Sequence, residues 1–375
     1  MGAMPTARRG HAWPDTPTQE CDQREMLVPP IPTPPVQTPA VPTPTARPNV
    51  SRRDFLAASS GAALAALTVP EAIAASQPAS EKPVSNASQP IVDTHVHLWD
   101  LSKLRLPWMS LPKGKPLAHN YLLKDYDAAT AGANVVKTVY TEVACDPKQH
   151  TVEAEYVINL CRQPGSRMAG AVIGGSLQSE RFGDYIKEYA QNPYVKGVRM
   201  VLHDPDRPKG MCLDRQFVEN VRLLGQLGLS FDLCMRAPEI IDGVRLVEKC
   251  PQTRFVVDHC GNWDSQSTDA KLRAEWEKAM REAASHPNVV CKISGIVATA
   301  RPGQWKPADL EPTINFCLDS FGERRVFFGG DWPVCTAAAT WQQWLEALEA
   351  IVANRSPEFR KRLFHDNAVQ FYKLT

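Results

Sequence analysis

Several features that would assign this chain to a function class are missing from it. The formal charge is only +1, from 42 basic and 41 acidic side chains, so no global field draws the protein to nucleic acid or to an acidic membrane surface. The apolar run at 57–69 falls short of the ~18 to 20 residues that span a bilayer, so no permanent membrane anchor is expected. No C-x-x-C pair occurs among the ten cysteines. Cys21 lies in the leader, and the nine that remain, an odd number spread over a long chain, do not form a disulfide framework. Several stand inside apolar runs and read as small buried hydrophobes. A Gly-rich phosphate fingerprint is absent after the first strand-like run, which argues against a dinucleotide fold. No repeat of roughly 20 to 50 residues is visible.

Proline is abundant, with 32 in the chain and many of them in the first 90 residues. Pro29-Pro30-Ile31-Pro32-Thr33-Pro34-Pro35 and the Pro-Thr repeats up to Pro48 lack amide donors and large apolar residues, so 1–50 reads as a disordered extension. Met26 is an alternative initiator. Ser51-Arg52-Arg53-Asp54-Phe55-Leu56, the short apolar run and Ala72-Ile73-Ala74 have the layout of a twin-arginine signal over 51–75, cleaved near Ala74. The expected partner is the twin-arginine export machinery, and the expected location is periplasmic or extracellular. Export after folding in a reducing compartment agrees with free thiols. Residues 76–90 read as a Ser/Pro/Ala/Gln linker.

From Ile91 to the C-terminus the pattern changes. Strand-like runs fall at 91–95, 135–141, 168–174, 195–202, 231–235, 255–259, 289–293 and 326–330, and helical patterns lie between them, for example at 152–163, 182–191, 216–227, 240–250, 271–286 and 341–354. Strand then helix, eight times over about 280 residues, predicts a (β/α)8 TIM barrel across 91–375. A doubly wound open sheet is the second reading. A barrel carries its active site at the C-terminal strand ends. Chemically capable residues do stand where the apolar runs finish: His95 and His97, Glu142, Arg199 and His203, Arg236, Asp258 and His259, Lys292 and Ser294, and Asp331.

The pair His95 and His97 is the strongest of these signals. Residues i and i+2 of an extended chain point to one face, so both imidazoles can converge on one ion or one substrate oxygen. On the same parity rule Asp93 is expected beside them. A lone histidine is more often a satisfied core group; the spacing and a third ring at His259 favour metal ligation or oxyanion stabilisation. Asp331, after Phe327-Phe328-Gly329-Gly330, is badly placed for core packing and well placed for chemistry. Arg199 in a buried strand must be paired or must meet a ligand anion. His203 reads equally as pocket lip or turn, and Glu142 as a loop carboxylate before a ligand. Lys292 is a structural or substrate-positioning residue. Trp99 and Trp332 are candidates for the substrate wall, while Trp305, Trp341 and Trp344 read as packing.

Asp93-Thr94-His95-Val96-His97-Leu98-Trp99, Lys196-Gly197-Val198-Arg199, Val257-Asp258-His259, Lys292-Ile293-Ser294-Gly295, Gly330-Asp331-Trp332-Pro333 and Leu363-Phe364-His365-Asp366-Asn367-Ala368 resemble the signature positions of the amidohydrolase-related family that includes L-fuconolactonase and the pyrone-dicarboxylate lactonases. The resemblance covers Ile91 to Thr375. It implies an amidohydrolase-type barrel that adds water to a lactone, with Asp331 as general base. His95, His97 and His259 would polarise the carbonyl themselves or, together with Asp331, hold one divalent, zinc-like ion. Arg199 would grip substrate, with His203, Trp99, Lys292 and Trp332 beside it. Catalysis with a metal and catalysis without one both fit that family. Strand four has no bridging lysine, and Cys234-Met235-Arg236 stands where a further histidine would be, so a binuclear site is not expected. The expected substrate is a sugar-derived lactone. The alternatives are a mononuclear-metal decarboxylase or amide hydrolase on the same barrel, and an exported sugar-binding barrel without catalysis.

Overall fold

The computed structural model describes residues 89–112 and 114–375. The Pro-rich extension, the twin-arginine segment and nearly all of the linker lie outside the described residues. Eight parallel strands follow one another in sequence order: β1 (Ile91–Val96), β2 (Val135–Thr141), β3 (Met168–Gly174), β4 (Val195–Arg199), β5 (Ser230–Leu233), β6 (Arg254–Val257), β7 (Val289–Ile293) and β8 (Val326–Phe328). A parallel bridge between Val96 and Trp332 brings the last strand back to the first. The connecting helices are α1 (Leu123–Ala129), α2 (His150–Arg162), α3 (Phe182–Tyr189), α4 (Arg215–Gln226), α5 (Ile240–Lys249), α6 (Ala270–Ser285) and α7 (Pro307–Phe321). Three more follow β8: α8 (Trp341–Ile351), α9 (Pro357–Lys361) and α10 (Asn367–Tyr372). This is the nearly closed (β/α)8 barrel that strand–helix alternation predicts.

The differences from expectation fall mainly at the rim. Four runs read as 195–202, 231–235, 255–259 and 326–330 leave the ladder early, at Arg199, Leu233, Val257 and Phe328. Hydropathy continues past these points because Met200, Val201, Leu202, Cys234 and Met235 stay buried, so apolarity alone does not mark where pairing stops. Helix α7 starts with Pro307 at its first turn, a position that needs no amide donor. Pro312 inside it blurs the helical pattern.

The barrel floor is apolar. Val92, Val139, Val172, Val256, Val290 and Phe327 pack with Ala368, Tyr372 and Leu374 of the C-terminal segment, each such side chain contributing about 1.5 to 3 kcal/mol on burial. Asn367 holds the segment there, its Nδ2 donating to the carbonyls of Glu323 and Val326 at 2.7 Å each. At the wall, α8 begins with a reciprocal cap between Thr340 and Gln343. Its buried indoles then reach the strands: Trp341 donates to Asp93 at 2.8 Å and Trp344 to the Gly329 carbonyl at 2.9 Å. Among the described residues no helix is long and apolar enough to cross a membrane, and all nine cysteines there are free and buried.

Candidate active site

The seam that closes the barrel is also where the candidate residues meet. Asp331 N–H donates to the His95 carbonyl and His97 N–H to the Trp332 carbonyl, both at 2.8 Å, so the carboxylate and the imidazole pair are set in register by the same ladder. Asp331 takes a left-handed φ of 54°, which turns it out of the strand direction. Gly330 makes that possible: a Cβ there would lie 2.1 Å from Trp341 Nε1 and 2.4 Å from Asp93 Oδ2.

His95 Nε2 lies 3.1 Å from His97 Nε2, and Asp331 Oδ1 lies 3.7 Å from the first and 3.4 Å from the second. His97 Nδ1 is 2.9 Å from the Thr141 carbonyl. A carbonyl only accepts, so Nδ1 carries a proton, and in the neutral ring Nε2 carries a lone pair. His95 Nε2 is 3.2 Å from Arg199 Nη1, which only donates, so it carries a lone pair as well. Burial, with the charge of Lys292 behind it, pushes the His95 pKa far down, and a proton shared between the rings is disfavoured. Two lone pairs and a carboxylate oxygen therefore converge on one another, which is a donor set for a cation. His259 completes it: its ring centroid is 4.4 Å from that of His95, and His95, His259 and Asp331 offer ligand atoms within 4.8 Å of one another. Ser294 Oγ holds His259 Nδ1 at 2.9 Å, leaving Nε2 for the site. Gly295 leaves room for that ring, since a Cβ there would stand 2.2 Å from His259 Nδ1. Burial lowers the His259 pKa too, so it meets a ligand as the neutral base that metals require.

A second donor set, Cys234, Asp258 and His259, is already served by a positive charge. Arg199 Nη1 lies 3.5 Å from Asp258 Oδ2 and 3.9 Å from Cys234 Sγ. The guanidinium thus stands where a second cation would, and the residues fit one ion only.

The charged groups beneath were only partly foreseen. Glu142 stands in the loop after β2, as expected, but is buried and paired: its Oε1 accepts from Arg199 Nε at 2.6 Å, and its carbonyl accepts from Arg199 Nη2 at 2.7 Å. Lys292 is not on the wall of the cavity above the site. Fully buried, it pairs with Asp232 at 2.9 Å and Asp258 at 3.0 Å. Burial works against the Lys292 charge, but the two carboxylates outweigh it and raise its pKa. For Asp258, burial is outweighed by Lys292, His259 and Arg199, which hold the carboxyl at about 2. Asp232, where burial prevails over Lys292, is raised to about 6. Asp258 Oδ1 faces His95 Nδ1 at 3.6 Å, so the lysine steadies the imidazole through the aspartate. Asp232 was legible as a carboxylate inside the apolar run Phe231-Asp232-Leu233. Asp93 also departs from the parity rule. A register shift between Asp93 and Val96 breaks the alternation, and Asp93 turns to Tyr126, Trp341 and the Gly330 amide at 2.9, 2.8 and 2.7 Å.

A cavity of about 330 Å³ opens over these groups, reached by His97, Arg199, His203, His259, Asp331 and Trp99. Trp332 is not on its wall; it packs on Tyr121 and Tyr126, with ring centroids 5.2 and 5.6 Å away. Trp108 and Leu117 are on the wall, within the long connection after β1 whose side chains no periodicity marks.

Fold and site together define a (β/α)8 barrel whose C-terminal rim gathers imidazoles and one carboxylate that could hold a divalent ion. The family profile described as Amidohydrolase matches residues 92–374, and the chain belongs to that family. Among curated relatives, the uncharacterized protein y4mH of Sinorhizobium fredii is 27% identical over 305 residues, covering 76% of this chain and 98% of the relative. An L-fucono-1,5-lactonase of Burkholderia multivorans is 26% identical over 305 residues, covering 76% and 96%. Among solved structures, an amidohydrolase from Burkholderia multivorans with bound zinc superposes with a TM-score of 0.67 at 25% identity, covering 76% of this chain and 99% of the other.

Proposed function

We propose that the protein hydrolyses a lactone, with Asp331 as general base. The observation that carries this is the convergence of His95 Nε2, His97 Nε2 and Asp331 Oδ1 within 3.7 Å at the cavity floor. Asp331 takes a proton from water, the water oxygen bonds to the acyl carbon, the acyl–ring-oxygen bond breaks, and the proton passes from Asp331 to the leaving oxygen, giving a hydroxy acid. His95, His97, His259 and Asp331 would hold one divalent, zinc-like ion, which when bound polarises the carbonyl and lowers the pKa of water. Arg199 spends most of its donors on Glu142, His95 and Asp258. Its first role is to fix the His95 lone pair, and its second is to meet substrate beside His203, with Trp99 across the cavity.

The curated lactonase among the relatives supports a lactone over an amide or an aromatic acid, and makes sugar-derived lactones the first class to assay. The test is a panel of lactones, aldonolactones first and alkyl-substituted rings beside them, followed by acid release, with and without chelator, for the native protein and Asp331→Asn. The variant is expected to fold normally and to lose a factor on the order of 100 to 10,000 in turnover. Native rates from it would remove the assignment. Export through the twin-arginine machinery belongs to the same proposal; buried free thiols are compatible with folding before transport. Exported material whose N-terminus began at Met1 or Met26 would contradict it.

A further inference from the structure

Resting on the lactonase reading above, we propose that the lactone carries an apolar substituent, alkyl or aryl, on the side of the ring facing the β8–β1–β2 arc. The strands close in sequence order, so residues following β8, β1 and β2 line one side of the mouth and those following β4 to β6 line the other. Beyond His97 and Asp331, the first side supplies Trp99, Trp108, Leu117, Val143, Val334 and Ala337; the second supplies Arg199, His203, Asp204 and Asn262, with Val201 among them.

The indole N–H groups of that side are spent elsewhere. Trp99 Nε1 donates to the His119 carbonyl at 2.6 Å and Trp108 Nε1 to the Val143 carbonyl at 2.8 Å. The Val143 amide donates in turn to the buried Glu153 carboxyl at 2.8 Å. The two indoles cross edge to face at 5.7 Å, a rigid arrangement that offers carbon to the cavity. A hydroxyl pressed against such a wall loses water and gains no partner, which weakens binding about tenfold for each one. An alkyl chain or ring there gains by leaving water. At about 330 Å³ the cavity is at the small end for ligand sites, suited to one lactone ring and one short substituent.

The experiment uses the full-length protein with added zinc, and compares kcat/KM above background for δ-decalactone and δ-gluconolactone, which share a ring and differ in substituents. δ-Decalactone is expected to be preferred at least about tenfold. Leu117→Asn and Val334→Asn, which place an amide on the wall, are expected to cut that preference roughly fivefold. Val334 is partly exposed, so its variant remains readable if the buried Leu117 change impairs folding. Equal use of the two lactones, preference for δ-gluconolactone, or a preference unmoved by Val334→Asn overturns the apolar substituent while the lactonase reading stands. If neither lactone is opened, both fail.

Discussion

The floor and the rim of this barrel are made from the same strands, yet their side chains follow opposite rules. At the floor, Val92, Val139, Val172, Val256, Val290 and Phe327 meet Tyr372 and Leu374 in a layer of hydrocarbon and ring. Only a few residues further along the strands, Lys292, Asp232, Asp258 and Arg199 are buried in mutual ion pairs, and above them His259, Cys260 and Asp331 hold left-handed backbone without being glycine. Strained backbone and desolvated charge both cost stability. The apolar floor and the helical shell offset that cost, which lets the rim be arranged for chemistry.

That contrast can be broken by mutation. Lys292→Met leaves two buried carboxylates facing each other, and a loss of about 3 to 5 kcal/mol is expected in urea unfolding, with turnover falling as well because Asp258 no longer steadies His95. Phe327→Ala should cost a comparable 3 to 5 kcal/mol while kcat stays within about twofold, since it touches only the floor. If Phe327→Ala abolished turnover with stability intact, floor and rim would not be separable.

A smaller effect sharpens the rim. Zinc at about a hundredfold excess over its Kd should raise unfolding stability by about 2.7 kcal/mol, and the gain should shrink in His97→Ala. The smallest effect is with pH. Burial depresses the folded-state pKa values of His95 and His259. The folded chain therefore binds fewer protons than the unfolded one below about pH 6.5, and stability declines as pH drops through that value. The contribution of Asp258, held at about 2, is complete above about pH 4 and is lost below it. Unfolding free energy that stayed flat from about pH 7 to 5 would mean the imidazoles take up protons in place.

Much of the site was legible in sequence because strand periodicity and barrel polarity are local rules. His95 and His97 two residues apart, and Asp331 after two glycines, follow from counting. Lys292 and Trp332 were misplaced because parity and adjacency say which way a side chain points and not what it meets. Lys292 points inward as expected, and there it finds Asp232 and Asp258 before any cavity. Asp93 was misjudged for another reason: a register shift has no signature in hydropathy.

The sequence by itself determined the eightfold strand–helix alternation, the identity of the candidate site side chains and the rim on which they stand, because each depends on spacing within one segment. Tertiary structure alone decided that Arg199 stands beside Asp258 and Cys234, that Thr141 and Arg199 orient the His97 and His95 rings, and that the two indoles cross edge to face with their N–H groups bonded to backbone carbonyls. Those outcomes depend on distances between segments far apart in the chain, and no local pattern encodes a distance across a barrel.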